Sequence, residues 1–472
     1  MTESLPKNNG QNTFEKDMAG HRKTVLFFVK SIRFLGYFKS IAEHILERNI
    51  RLVIIFDETK SEAPSDDSLF NFKKRFPHFE WYEGPYRTDR WATFIIATRN
   101  ILNYRFLLLD ANVPQRHVRR LHGYLPLLLR KLIGKFPKTK TIIKSRVVEK
   151  IFRWCEYIVP ADDKITNFIQ SFSPSLVLVL YRNFPCKSPD MDYEKSALSL
   201  SIPTILITPS WETLNTKSMI QIIPDRVFVW NEDHVKIAHD RHFVPLDKLT
   251  IVGAPHFDEW FRRAGPELSR EIFLKFFSII PASRYILYLG SSPVGDENAS
   301  VVHTLRTMLD ESSNVNCREL LLLVRPYPGV EKCYNVLDHK KIVILPASEE
   351  SKRSLYGDSL FYDMVYHAEA VIAVDTTALI DAIAIGRPGF VYFEDRFKDI
   401  LNADHFARVR ESGAVTTVKT ADDLDRAITK ILSKKDDTYE KRIEYLRRYI
   451  RPRGLEKEVG SVVASELEKF LR

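Results

Sequence analysis

Cysteine is scarce in this chain: four residues in 472, Cys155, Cys186, Cys317 and Cys333, scattered without a CxxC pair. That excludes a disulfide framework and a thiolate metal site, and fits a reduced, cytoplasmic protein with structural thiols. The thirteen histidines form no HxxxH or HExxH cluster, so no metal ligands are assigned. No uncharged apolar run reaches the roughly 18 residues a membrane-crossing helix needs. The opening MTESLPKNNGQNTFEKDMAGHRK has no apolar centre and does not read as a secretory signal; residues 1–22 are expected to be a disordered lead-in. Three catalytic signatures are also missing. Without GxGxxG after the first strand a dinucleotide oxidoreductase is disfavoured, and without GxxxxGK[ST] so is a P-loop NTPase. Without GxSxG an α/β-hydrolase is disfavoured too.

What remains is an ordinary globular composition, 44% hydrophobic and 28% charged, in a chain too long for one core. The net charge of +9 is uneven: from Arg116 to Lys150 there are eleven Lys or Arg against one acid, Glu149, a net +10 in that window. Inside it YLPLLLRKLIGKF (Tyr124–Phe136) mixes long apolar side chains with basic ones. Three readings stay open for this segment. One is a solvated face over ordinary core contacts; another is attraction to an anionic membrane surface or a lipid-phosphate acceptor, peripheral on the inner face of the plasma membrane. The third, nucleic-acid binding, has no accompanying motif, so no nucleic-acid partner is expected.

Short Val/Ile/Leu-rich runs alternate with helical patterns, the rhythm of parallel α/β units. HRKTVLFFVK, LGYFKSIAEHILER and NIRLVIIFDE make a βαβ opening, and the polar Glu58–Arg90 reads as an excursion with a short helix at best. RFLLLDAN, SLVLVLYRN, IPTILITPS and DRVFVWNE supply four further expected strands. The rhythm breaks at LTIVGAPHFDEWF, the expected joint, and restarts with YILYLGSSP, ELLLLVRPYP, KIVILPAS, AVIAVDTT, PGFVYFED and GAVTTVKT. The expected fold class is α/β: two Rossmann-like domains, 23–250 and 251–436, followed by C-terminal helices over 437–472 that Pro452 and Gly454 divide.

Ligands of open parallel sheets bind beyond the carboxyl ends of the strands. The residues there in the second half are Gly290-Ser291-Ser292, Arg325-Pro326-Tyr327-Pro328, Pro346-Ala347-Ser348 and Asp375-Thr376-Thr377. Ser291 and Ser292 offer hydroxyls for phosphate oxygens, and Arg325 a guanidinium for bidentate contact with a diphosphate. One of Thr376 and Thr377 would cap the following helix while the other helps hold an anion. Asp381, four residues beyond Thr377 on the same helical face, suits the two hydroxyls of a ribose. Each has an ordinary structural reading as well: a strand-to-helix turn, a surface ion pair, a cap, a first-turn acid.

At these residues the sequence resembles the GT-B glycosyltransferases, in particular bacterial enzymes of capsule, lipopolysaccharide and teichoic-acid assembly, including the CDP-glycerol glycerophosphotransferases. Their pattern Ser/Thr-Thr-x-x-x-Glu-x-x-x-x-Gly-Lys/Arg-Pro is matched by Thr376-Thr377-Ala378-Leu379-Ile380-Asp381 and Gly386-Arg387-Pro388, with Asp in place of Glu. Tyr327 stands where many of these families have His of a His-Pro pair. A second block, Pro203–Phe261, carries SWETLNTK where related bacterial proteins have Ser-Trp-Asp-Asn-Leu-Thr-Ser-Lys. The resemblance implies GT-B architecture with C-terminal helices crossing back, a donor nucleotide in the second domain and the acceptor in the first. It implies a metal-independent glycosyltransferase of surface polysaccharide or glycolipid assembly, needing no cofactor. The donor would be a UDP-, CDP-, GDP- or CMP-linked sugar and the acceptor a glycan or a lipid-linked one. Donor contacts would come from Gly290, Ser291, Ser292, Arg325, Tyr327, Thr376, Thr377 and Asp381. The base would be Glu212, Asp110 or His256. A CDP-glycerol-type glycerophosphotransferase, a non-hydrolysing UDP-sugar 2-epimerase and a non-catalytic GT-B scaffold are the alternatives.

Overall fold

The computed structural model describes residues 23–29, 35–56, 72–180, 189–345 and 357–471. The expected lead-in, and Pro346-Ala347-Ser348, lie outside them. Thirteen strands among the described residues form two wholly parallel sheets. The first holds β1 (Thr24–Val29), β2 (Arg51–Phe56), β3 (Glu80–Glu83), β4 (Leu176–Leu180), β5 (Thr204–Ile207), β6 (Arg226–Val229) and β7 (Leu249–Ile251) in the order β3-β2-β1-β4-β5-β6-β7. The second holds β8 (Tyr285–Leu289), β9 (Leu321–Arg325), β10 (Ile342–Ile344), β11 (Ala370–Ala373), β12 (Gly389–Tyr392) and β13 (Val415–Val418) in the order β10-β9-β8-β11-β12-β13. Every residue of β1, β4, β8 and β11 is buried. A parallel strand covered by helices on both faces needs such an unbroken apolar run.

The expected α/β class with C-terminal helices crossing back is the architecture found. Helix Tyr439–Tyr445 continues through a π-helical turn, Leu446–Ile450, and helix Val459–Leu471 then packs on helix Leu35–Glu47 of the first sheet's layer. Asp258, fully buried just after β7, anchors this return. It accepts hydrogen bonds from Ser40 Oγ (2.6 Å), Arg451 Nη2 (2.6 Å) and the Val459 and Gly460 N–H groups (3.0 and 2.9 Å). One carboxylate thereby ties the first half, the joint and the C-terminus, its charge matched by four donors.

Two local expectations give way. RFLLLDAN is not a strand: Arg105 to Leu108 end the helix Ala92–Leu108. That helix is buried on nearly all sides from Thr98 to Leu107, polar residues included, because other helices enclose it, and its buried Arg105 pairs with Glu149 at 2.8 Å. A short apolar run has no period that separates the two cases. Conversely, EWYE within the expected excursion forms the edge strand β3, held in register by Arg51, which pairs with Glu80 at 2.9 Å.

Candidate active site

In each sheet the strand order reverses beside the first strand, between β1 and β4 and between β8 and β11. Such switch points open a crevice at the carboxyl ends of the strands. In the second sheet, Leu289 pairs with Arg325 on one side and with Ala373 on the other. The three polar strand ends therefore lie side by side at inter-strand spacing, Arg325 and Asp375-Thr376-Thr377 flanking Gly290-Ser291-Ser292.

Gly290 donates its N–H to the Arg325 carbonyl at 2.9 Å. A Cβ there would stand 2.7 Å from both the Tyr327 nitrogen and the Tyr334 hydroxyl, so only glycine lets the two strand ends approach. Ser291 is buried, its hydroxyl donating to the Asp375 carbonyl and its N–H to Asn298 Oδ1 at 3.0 Å. It thus links the β8 and β11 ends and leaves Ser292, which is exposed, as the outward hydroxyl of the pair. Arg325 is half-buried, with its guanidinium over the Phe361 ring at 4.6 Å, and Tyr327 is exposed. Thr376 accepts from the Ala378 N–H at 3.3 Å and so takes the turn-forming role, while Thr377 makes no side-chain cap bond at the head of helix Ala378–Ala384.

Asp381 sits on the buried face of that helix. Trp260 Nε1 donates to its Oδ1 at 2.8 Å, and His256 Nε2 lies 3.6 Å from the same oxygen. His256 is stacked on Tyr37 at 4.5 Å between ring centroids. Two residues singled out for separate roles are therefore neighbours, beside the joint.

The first half reaches the same strand ends. Arg116, on helix Gln115–Tyr124, extends to within 3.7 Å of Asp375 Oδ2. Burial pushes the Asp375 carboxyl up to about 7; the Glu212 charge pushes the same way, and Arg116 opposes both. Glu212, beyond β5, is paired with Lys217 at 2.7 Å, and the Thr216 hydroxyl donates to it at 3.5 Å. Asp110 lies past a helix end, 2.8 Å from Arg241, which also reaches Asn215 Oδ1 at 3.3 Å. Glu212 is thus near enough for its charge to act on Asp375, His256 lies beside Asp381, and Asp110 pairs with Arg241, which reaches Asn215.

Asp375 and Arg116 were not among the side chains singled out from the sequence. Asp375 did carry a signal, as the first polar residue after an apolar strand. Arg116 was one of many bases in its window, and nothing local marked it.

No protein-family model matches the chain, and no curated protein matches it. Solved structures do share its fold. The UDP-GlcNAc 2-epimerase of Methanocaldococcus jannaschii is 12% identical, with a TM-score of 0.52 over 94% of this chain and 99% of that one. A co-structure of Staphylococcus aureus MnaA with UDP gives 10% and 0.52 over 95% and 97%. A glycosyltransferase from Rickettsia africae gives 11% and 0.51 over 95% and 98%. At these identities the likeness establishes the fold, and that fold is the two-domain GT-B architecture.

Proposed function

We propose that the chain is a GT-B enzyme that transfers a sugar from a nucleotide-sugar donor to an acceptor in surface polysaccharide or glycolipid assembly. The observation that carries this reading is the meeting of Arg116, Glu212 and the near-neutral Asp375 at the switch point of the second sheet. In this reading the donor diphosphate lies against Arg325, Ser292 and Thr377, with Tyr327 at the rim, and Asp381 takes the ribose. A carboxyl titrating near 7 is matched to proton transfer at neutral pH. Asp375 accepts the proton of the acceptor hydroxyl as its oxygen bonds to the anomeric carbon. The bond from that carbon to the diphosphate oxygen breaks, and Arg325 with the hydroxyls meets the departing charge.

A second reading, epimerisation of a UDP-sugar at C2, is favoured by the epimerases among the structures of like fold and by the Asp381–His256 pair. Incubation with UDP-, CDP-, GDP- and CMP-sugars, with and without lipid and glycan acceptors, separates the two. Acceptor-dependent release of nucleotide is the expected result, reduced about 100-fold or more by Asp375→Asn. A C2 epimer formed without acceptor favours the second reading. Absence of any turnover favours a binding scaffold.

A further inference from the structure

Helix Arg146–Ile158 packs Val148 and Phe152 inward yet also turns large apolar side chains outward. Its carboxylates point inward: Glu156 is buried in a bidentate pair with Arg99 (2.8 and 2.9 Å), and Glu149 meets Arg105 at 2.8 Å. Its apolar residues Val147, Ile151 and Trp154 form a stripe at helical spacing that faces solvent, Trp154 being 63% exposed and Tyr157 beside it 87%. The preceding helices continue the surface. Leu128 of helix Leu127–Lys135 is 76% exposed and Ile142 of helix Thr139–Lys144 is 64%. Burial of Ile133 and Ile143 fixes these helices with their other sides outward. Monomers in water rarely keep so many large apolar side chains together.

Charge says what covers this face. Lys131, Lys135, Lys138, Lys140, Lys144 and Lys150 are exposed among the apolar residues, and no acidic side chain between 115 and 158 is exposed. A second copy of the chain, docked through the same face, would bring like charge against like charge. A nucleic acid could stack on Trp154 and Tyr157 but would gain little from Leu128, Ile142, Val147 and Ile151, aliphatic side chains that neither stack on bases nor donate hydrogen bonds. We infer that this three-helix face docks on an anionic lipid bilayer, the apolar side chains entering the headgroup boundary and the lysines meeting lipid phosphates. The face lies close to the cleft: helix Gln115–Tyr124, about 15 Å long, separates it from the end where Arg116 meets Asp375. The inference does not depend on the reaction assigned above.

Flotation of the full chain with vesicles tests it without nucleotide or acceptor. Capture by phosphatidylcholine vesicles containing phosphatidylglycerol, lost in high salt and absent with phosphatidylcholine alone, is expected. Leu128→Glu with Trp154→Glu should weaken capture about ten-fold or more. Lys138→Ala with Lys140→Ala and Lys144→Ala should weaken it about a hundred-fold at low salt. Both variants change exposed residues and should melt like the parent; if the first misfolds, the second decides. No capture by anionic vesicles overturns the inference, as does capture indifferent to both variants. A chain that ignores vesicles but forms a dimer, or retards DNA or RNA, through these residues also overturns it.

Discussion

Asp375 is held in a protonation balance that an exposed aspartate never reaches. Burial raises its pKa to about 7, the nearby Glu212 adds to the rise, and Arg116 only partly offsets them. A raised carboxyl pKa means the folded state binds the proton more tightly than the unfolded chain does. Between about pH 4 and pH 7 the native state therefore holds more protons, and this residue's contribution to stability falls as pH rises through that window. Asp375→Asn removes the buried charge, so the variant should melt higher than the parent at pH 8, while the difference narrows at pH 5. Equal melting at both values would show that the carboxyl is not desolvated. Loss of activity with gain of stability is the pattern of a residue kept for chemistry. The sequence made Asp375 visible as a strand-end acid, and its neighbours Thr376, Thr377 and Asp381 likewise. It did not show Arg116, because the contact joins residues 259 positions apart in numbering, 116 and 375, and no local pattern encodes such a pairing.

Among the elements, helix Val459–Leu471 and helix Leu35–Glu47 come closest where Gly460 meets Ser40. A Cβ at 460 would lie 2.2 Å from Ser40 Oγ and 2.4 Å from its carbonyl oxygen. Backbone cannot yield as a side-chain end can, so Gly460→Ala should push the helices apart and cost about 2 kcal/mol or more in chemical denaturation. An unchanged midpoint would mean that the crossing is looser than described. Strands with long buried runs, β1, β4, β8 and β11, were legible because alternation is suppressed in parallel sheets. Of Ala92–Leu108 only the end was marked, as the apolar run RFLLLDAN: a helix enclosed by other helices loses its amphipathic period, and its LLL tail then resembles a strand. The short β3 carries no apolar signal and forms because Arg51 and Glu80 join it to β2.

For the whole molecule, the two-sheet plan followed from the order of apolar runs, while the returning C-terminus was an implication of the GT-B resemblance, Pro452 and Gly454 marking only where its helices divide. The way the halves face each other did not, since it rests on single contacts such as Asp258 with Arg451 and Arg116 with Asp375. The central claim is that the switch point of the second sheet binds a nucleotide through its diphosphate. Its most direct test is thermal melting of the parent and Arg325→Ala against UDP, CDP, GDP, ADP and CMP, each beside its nucleoside. At least one nucleotide should raise the Tm of the parent in proportion to its affinity, and Arg325→Ala should erase most of the gain while leaving any nucleoside effect intact. A parent that no nucleotide stabilises, or a variant that loses nucleoside and nucleotide equally, would contradict the account.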